Sequence, residues 1–291
     1  MFRLAAVALV VSAAVVLAIV LTLRLMTAAP TAGAPPGKGN GGLDHTANVR
    51  TQAAAWVTKQ ISRSAIVACD PVMCPVLQAQ GLSPQNLLAL RPAAPDLLSS
   101  DIVVATDALR SRFGARLAAV YAPTVIASFG TGAARIDIRA VAPDGATAYQ
   151  KALRHDVLAR RAAGAQLLLN SRIRVAAAPV RQELAAGEVD GRILVMLAAL
   201  AASYRLQVVA FGDAAPGASA GVPLRTVQIS GTGNAGVPGT TDELKSMLSF
   251  VLAQRPPYLA ASATRVKLGA HQTVLRIGFG APSPLGLLAR S

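Results

Sequence analysis

The chain has 291 residues, a formal net charge of +14, and a composition that is 53% hydrophobic, 14% charged and 4% aromatic. This length accommodates a membrane anchor and two modest domains. A chain with this positive charge could bind nucleic acid, but the sequence has no DNA- or RNA-binding motif and almost no aromatic side chains for base stacking. Nucleic acid is therefore excluded as the expected partner.

The N-terminus predicts a membrane anchor. Residues 5–23, AAVALVVSAAVVLAIVLTL, are uncharged and mostly apolar. As a helix they nearly span a hydrocarbon core of about 30 Å, whereas the apolar part of a cleaved signal peptide has only about 7–15 residues. We therefore predict a transmembrane signal anchor over residues 1–26, with membrane lipid as its partner, and a Pro/Gly-rich linker over residues 27–43. With the N-terminus inside the cell, the rest of this single-pass cell-membrane protein is expected to be extracytoplasmic.

Residues 44–143 predict a first α/β domain. A helix is expected over residues 45–59, pinned to the domain by Trp56, the only tryptophan. Strands and helices then alternate, which favours parallel pairing, and the last two strands form a hairpin at the edge. The predicted strands are 64–68, 86–90, 101–106, 124–129 and 135–141, with a helix from Pro71 to Gln80 and a short helix after Asp107.

Two cysteines, Cys69 and Cys74, are the only ones in the chain. Cys69 ends a predicted strand and Cys74 lies in the first turn of the next helix, so their Cα atoms can approach within the 4.4–6.8 Å that a disulfide requires. The pair has no second pair with which to bind a metal, and its spacing is wider than that of redox-active pairs. We predict a structural disulfide outside the membrane, or two thiols if the domain faces the cytosol.

Two motifs in this domain carry a resemblance. They are the strand and turn DIVVATDALR at 101–110 and the segment SFGTGAARIDIRAV at 128–141. With them, residues 52–142 resemble the extracytoplasmic C-terminal domain of actinobacterial, mannosyltransferase-like membrane glycosyltransferases of family 39. The alanine-, glycine- and arginine-rich composition is likewise typical of an actinobacterial protein. Because the catalytic machinery of that family lies in a multi-spanning membrane part without a counterpart here, the resemblance implies location and fold rather than transferase activity.

Residues 144–291 predict a second α/β domain, so that the fold class is α/β, with a transmembrane helix followed by two small domains of two or three layers. Asp190 is expected to cap a buried helix, and the run Thr240 to Glu243 reads as a capping box. The predicted helices are 145–166, 191–204, 243–254 and one opening at Pro179. Residues 167–170 and 172–176 surround a possible strand, and the further predicted strands are 206–211, 224–230, 264–268 and 272–279.

Part of this second domain resembles a peptidase scaffold. The segments VDGRILVMLAALAASYRLQVVAFGD at 189–213 and GVPLRTVQI at 221–229 carry the likeness. On them, residues 188–230 resemble the fold of D-Ala-D-Ala peptidases, which hold zinc with His and Asp ligands. Residues 211–229 contain no histidine, and Gln228 stands where an acid is expected. The resemblance therefore implies a scaffold without its zinc ligands.

The string Gly217-Ala-Ser219-Ala-Gly221 spells a nucleophile elbow, and Asp242 and His271 follow it in the order of α/β-hydrolases. The elbow requires that a strand end, turn sharply at the serine and enter a helix. Ser219 comes eight residues after a predicted strand, and a β-rich run follows it. We favour a small-residue loop, with catalysis by Ser219, Asp242 and His271 as the alternative.

The remaining candidates are a basic helix and two unsupported motifs. Lys151, Arg154, Arg160 and Arg161 belong to the densest basic stretch and suit anionic lipid headgroups or acidic wall polymers; the alternative is a solvated helix face. The three histidines are too far apart in sequence to suggest a metal site, and Gly130-Thr-Gly132 reads as a tight turn rather than a dinucleotide fingerprint. No metal and no cofactor are expected.

We therefore expect a non-catalytic, membrane-anchored, extracytoplasmic protein that binds or scaffolds an envelope protein or a glycan. The alternative from the enzyme class is an envelope hydrolase that uses Ser219 with His271, either a serine hydrolase or a degenerate wall peptidase. A third possibility is a structural subunit of a larger membrane assembly, which the small residues of the anchor would permit.

Overall fold

The computed structural model describes residues 41–91, 96–212, 217–232, 240–269 and 272–288. The predicted anchor over residues 1–26 and almost all of the predicted linker lie outside these ranges. Within them, no helix is long and apolar enough to cross a membrane. Residues 42–291 form one compact unit with two five-stranded mixed sheets, which confirms the α/β class.

The first sheet lies within residues 44–143. Its strands are β1 (Val67–Cys69), β2 (Leu87–Ala89), β3 (Ile102–Ala105), β4 (Thr124–Phe129) and β5 (Ile136–Ala140), in the order β2-β1-β3-β5-β4. β1 pairs in parallel with β2 and β3, whereas β5 is antiparallel to both β3 and β4. The predicted hairpin is present, and its second strand joins the sheet, which leaves β4 at the edge.

Helices cover both faces of the first sheet, giving three layers. The α-helices are α1 (Gly41–Gln60), α2 (Met73–Ala79) and α3 (Asp107–Phe113). Because alternate strand residues point to opposite faces, Ile102 belongs to the same apolar core as Trp56 of α1 and Leu77 of α2, while its neighbour Val103 belongs to the core that contains Leu109 of α3. Two separate apolar cores result, one on each side of the sheet.

The second sheet lies within residues 144–291. Its strands are β6 (Ile173–Val175), β7 (Leu206–Gly212), β8 (Thr226–Gly231), β9 (Ser262–Leu268) and β10 (Gln272–Gly278), in the order β6-β7-β8-β10-β9. Strands β6 and β7 are parallel and the other neighbours are antiparallel. The accompanying helices are α4 (Ala146–Leu169), α5 (Ala178–Ala186), α6 (Gly191–Ser203) and α7 (Thr241–Leu252). All four contribute to a single apolar core on one face of the sheet.

Both predicted helix caps of this half are confirmed. The Asp190 carboxylate accepts a hydrogen bond from the backbone N–H of Arg192 at 2.9 Å, and the Thr240 hydroxyl accepts one from the N–H of Glu243 at 3.2 Å. Each cap satisfies a backbone donor that the first helical turn leaves unpaired. The sequence signals for the starts of α6 and α7 were therefore reliable.

Residues 279–288, which we call the C-terminal strap, connect the two sheets. Ala281 accepts a hydrogen bond from the N–H of Ser62 at 2.8 Å and donates its own N–H to the carbonyl of Gln60 at 2.7 Å. In the same region the Arg225 guanidinium donates to the Gln60 carbonyl at 3.2 Å and lies over the Trp56 ring. The strap and the start of β8 thus hold the C-terminal end of α1 against the second half of the molecule.

A buried ion pair fixes the strap. The Arg192 guanidinium donates to both carboxylate oxygens of Asp190, at 2.9 and 2.7 Å, and to the carbonyl of Gly280 at 2.9 Å. The Ser283 hydroxyl donates to the same carboxylate at 2.6 Å, and Arg192 lies 4.9 Å from the centroid of the Phe279 ring. Asp190 is fully buried, so its charge depends entirely on these partners.

We expect Asp190→Asn to lower the free energy of unfolding by about 3–5 kcal/mol, because it leaves the Arg192 charge buried without its partner. Urea unfolding of the full chain in detergent micelles, followed by Trp56 fluorescence, measures this. The matched control is Asp144→Asn at an exposed carboxylate, which should change stability by less than about 0.5 kcal/mol. Equal losses in the two variants would contradict the role of the pair.

The same pair makes stability depend on pH. Burial, the largest single influence, opposes ionisation of Asp190, but the hydrogen bonds and charge of Arg192, with the Ser283 hydroxyl, outweigh it and lower the Asp190 pKa below its ordinary 3.8. The unfolded chain therefore takes up this proton first as the pH falls. We expect the stability difference between wild type and Asp190→Asn to be complete above about pH 5 and to shrink as the pH falls below about 4.

Candidate functional site

An open groove of about 670 Å³ lies between α4, the turn after α5, and residues 217–224, which we call the groove loop. Val157, Arg160 and Arg161 of α4 form one wall, residues 186–188 form the floor, and residues 218–224 form the other wall. Ser219 and two of the four predicted basic residues of α4, Arg160 and Arg161, are therefore brought to one site.

The floor of the groove depends on a glycine. Gly187 ends α5 in the left-handed conformation, with φ 70° and ψ 29°, which other residues adopt only at a cost. A Cβ atom at this position would stand 2.7 Å from Cγ of Arg161 and 2.9 Å from the carbonyl oxygen of Val157. The absent side chain allows the turn to pass close beneath α4.

The groove loop is held by backbone pairing at both ends. Ser219 donates its N–H to the carbonyl of Ile126 at 3.0 Å, and Gly217 accepts the N–H of Ser128 at 2.9 Å, so the loop extends the first sheet beyond β4. At its other end, Leu224 donates its N–H to the carbonyl of Glu188 at 2.7 Å. These bonds attach one end of the groove loop to β4 and the other end to the turn after α5.

Ser219 does not stand in a nucleophile elbow. The groove loop contains no helix, and a turn at residues 220–221 follows Ser219 directly, so the strand-to-helix geometry that exposes such a serine is missing. Asp242 lies in the first turn of α7 with its carboxylate exposed and bonded to Nζ of Lys245 at 2.8 Å, a contact that lowers the Asp242 pKa. His271 lies outside the described residues, so its pairing with Ser219 stays a prediction.

Three of the four predicted basic residues share the outer face of α4. Lys151, Arg154 and Arg161 are exposed at spacings of three and seven residues, and Leu158, 60% exposed, stands between them. These spacings place all four side chains on one side of a helix. We call this set the basic face; its Arg161 also lines the groove.

Arg160 corrects the prediction, because it is not a surface residue. It is only 3% exposed, and its Nε donates to the Asp156 carboxylate at 2.8 Å. Its Nη1 donates to the Gly187 carbonyl, and the second Asp156 oxygen accepts the N–H of Gly286 in the strap at 3.1 Å. Arg160 thus joins α4 to the turn after α5, and its charge is paired with Asp156 inside the fold.

The predicted disulfide is present. Cys69, at the end of β1, is bonded to Cys74 in α2, with the two Cα atoms 5.4 Å apart. It closes a short loop that carries Asp70, whose carboxylate accepts the N–H groups of Val72 and Met73. The bond therefore fixes the connection between the first strand and its helix.

Metal-binding clusters are not found in the part of the chain that the structure describes: no group of three or more His, Cys, Asp or Glu side chains is placed to hold an ion. Sequence reasoning missed the Gly187–Glu188 turn as part of the site. Its only signal was a glycine after a helix, which typically marks a helix end and not a groove.

No family model, curated protein or solved structure matches this chain. The two family resemblances therefore remain expectations, and the site has to be interpreted from its own geometry.

Labelling with a fluorophosphonate probe tests the serine hypothesis. We expect Ser219→Ala to leave the labelling of the full chain unchanged at background, because Ser219 lacks the elbow that exposes and orients a catalytic serine. Ser128→Ala, at a hydroxyl bonded to Asp137 in the first sheet, is the control for non-specific labelling. Labelling that disappears in Ser219→Ala alone would establish the hydrolase alternative.

Proposed function

We propose that this chain is a non-catalytic, membrane-anchored, extracytoplasmic module that binds anionic material at the cell envelope through the basic face and the adjoining groove. The observation that carries the proposal is the basic face itself. Lys151, Arg154 and Arg161 are exposed together around an exposed leucine on a 24-residue helix.

The chemistry of the basic face suits an anionic surface. Its exposed side chains combine three cations with Leu158, and the nearest acid on the helix, Asp156, is buried against Arg160. Cations flanking an exposed apolar side chain are typical of helices that lie on anionic membranes, where each Lys or Arg contributes about 1 kcal/mol. The only acid of this helix is thus removed from the surface by the fold, and the exposed Glu188 lines the groove beside Arg161.

Placement outside the cytoplasm is supported by the disulfide. The disulfide between Cys69 and Cys74 would not persist in a reducing cytosol, whereas disulfides are common in envelope proteins. The predicted anchor over residues 1–26 and the linker over 27–43 would tether the module at the membrane surface. The module would then sit within reach of lipid headgroups and of acidic wall polymers.

The binding face can be tested by charge removal. We expect the triple variant Lys151→Gln/Arg154→Gln/Arg161→Gln to weaken binding to phosphatidylglycerol vesicles about 100-fold, because three charges at about 1 kcal/mol each are lost. The full chain is first embedded in phosphatidylcholine nanodiscs, so that its predicted anchor is already occupied, and vesicle capture is then measured at low and high salt.

The matched control removes the same charge elsewhere. Arg255, Arg265 and Lys267 are also exposed and lie outside α4. Their triple change to glutamine lowers the net charge by the same amount and should weaken capture far less. If both triple variants lose capture equally, binding follows net charge and the basic face has no special role.

Cysteine alkylation tests the location. We expect Cys69 and Cys74 of protein taken directly from cells to resist a maleimide reagent under denaturing conditions and to react after reduction, because they are paired outside the cytosol. A mass shift of two reagent adducts on gels after reduction measures this. Reaction of both thiols without reduction would place the domain in a reducing compartment and contradict the proposed location.

A further inference from the structure

A second opening lies in the first sheet, away from the basic face. β1 and β3 are adjacent and parallel, and the chain leaves them toward opposite faces: α2 packs beside Ile102, and α3 packs beside Val103. In α/β sheets such a reversal leaves a crevice beyond the carboxyl ends of the two strands, and ligands bind there. Asp70 directly follows β1, and Thr106 and Asp107 directly follow β3.

A cavity of about 100 Å³ occupies this position, which we call the switch crevice. Asp70, Thr106 and Asp107 line it from the strand ends, Arg50 of α1 lines one side, and Arg135, which precedes β5, lines the other. Its size suits a small ligand or a single unit of a longer one. The topology of the sheet and the position of the cavity thus identify the same place independently.

The inner wall of the switch crevice is rigid. Asp70 is 5% exposed, and one of its oxygens accepts the N–H groups of Val72 and Met73 at 2.8 and 2.9 Å. The other oxygen accepts the Thr106 hydroxyl, which ties the end of β1 to the end of β3. The disulfide closes the loop that carries Asp70. A carboxylate has about four acceptor positions, so one remains available to a ligand.

The outer groups of the switch crevice have unused hydrogen-bonding capacity. Asp107 bonds Arg110 through one oxygen at 3.2 Å, and Arg135 bonds Asp137 through Nε at 2.7 Å. Among the described residues, Arg50 has no hydrogen-bond or ion-pair partner for its guanidinium group. Acceptors and donors therefore face the same small space.

The charges that line the switch crevice balance, with two carboxylates, Asp70 and Asp107, and two guanidinium groups, Arg50 and Arg135. A bare cation would be repelled by the two arginines, and an anion would be repelled by the two carboxylates. A neutral ligand with several hydroxyl groups fits both, because each hydroxyl can donate to a carboxylate and accept from a guanidinium. We propose that the switch crevice binds one neutral sugar unit of an envelope glycan.

This proposal extends the proposed envelope function but rests on different residues. The basic face is on α4, beside the second sheet, and the switch crevice belongs to the first sheet. Variants of one site should leave the other unaffected. Failure of vesicle capture and failure of sugar binding are therefore separate results.

The test is saturation-transfer NMR on the full chain with the methyl glycosides of glucose, mannose, galactose and N-acetylglucosamine. The protein is held in a polyoxyethylene detergent, because sugar-based detergents would compete for the crevice. We expect transfer to at least one glycoside, and at least a tenfold weaker Kd in Asp107→Asn and in Arg50→Gln, since each loses a hydrogen bond from a charged group.

Two matched variants serve as controls. Asp242 bonds Lys245 three residues on in the first turn of a helix, as Asp107 bonds Arg110, so Asp242→Asn is the counterpart of Asp107→Asn. Arg255→Gln removes the same charge as Arg50→Gln, at an exposed arginine that does not line the crevice. Both controls should retain the wild-type Kd.

Three results would overturn the proposal. The first is the absence of transfer to all four glycosides in a folded sample. The second is a Kd in Asp107→Asn equal to that in Asp242→Asn. The third is displacement of the bound glycoside by inorganic phosphate, which would show a site selective for anions. Transfer that weakens only in the two crevice variants supports the assignment.

Discussion

The buried pair of Asp190 and Arg192 is the interaction on which the arrangement of the two sheets depends. A fully buried carboxylate is tolerated only when its charge is matched, and Arg192, Ser283 and a backbone N–H together supply that match. The same guanidinium bonds Gly280, so the helix start and the C-terminal strap are fixed by one group. The strap in turn bonds the end of α1, which belongs to the first sheet.

The groove follows from this constraint. Its loop wall begins with pairing to β4 at Ser219 and ends at Leu224, whose carbonyl accepts the N–H of Asp190 at 3.0 Å. Its opposite wall, α4, is bonded through Asp156 to the strap at Gly286. Both walls of the groove are therefore connected by hydrogen bonds to the C-terminal strap, the loop wall through Asp190 and α4 through Asp156. A change that releases the strap should alter the groove even though no groove residue is replaced.

Local order was readable from the sequence, whereas long-range placement was not. The strand over residues 124–129 and the caps at Asp190 and Thr240 were predicted as they stand, because periodicity and capping act within a few residues. The insertion of β5 beside β3 and the strap were missed, since they depend on pairing between distant segments. The groove joins residues 157–161, 186–188 and 218–224, and local patterns cannot bring such ranges together.

The two neighbouring arginines of α4 show why charge in the sequence differs from charge at the surface. Arg160 and Arg161 are adjacent, yet a step of one residue turns the side chain by about 100° around a helix. Arg160 therefore faces Asp156 and the turn after α5, while Arg161 faces the groove and solvent. Arg160 is enclosed by the fold, whereas Arg161, whose Nε donates to the Ala186 carbonyl at 3.0 Å, stays exposed and can also contact a partner. A binding surface on this helix consequently contains fewer cations than the sequence suggests. No carboxylate of α4 itself opposes them, because its one acid, Asp156, is paired with Arg160 inside the fold.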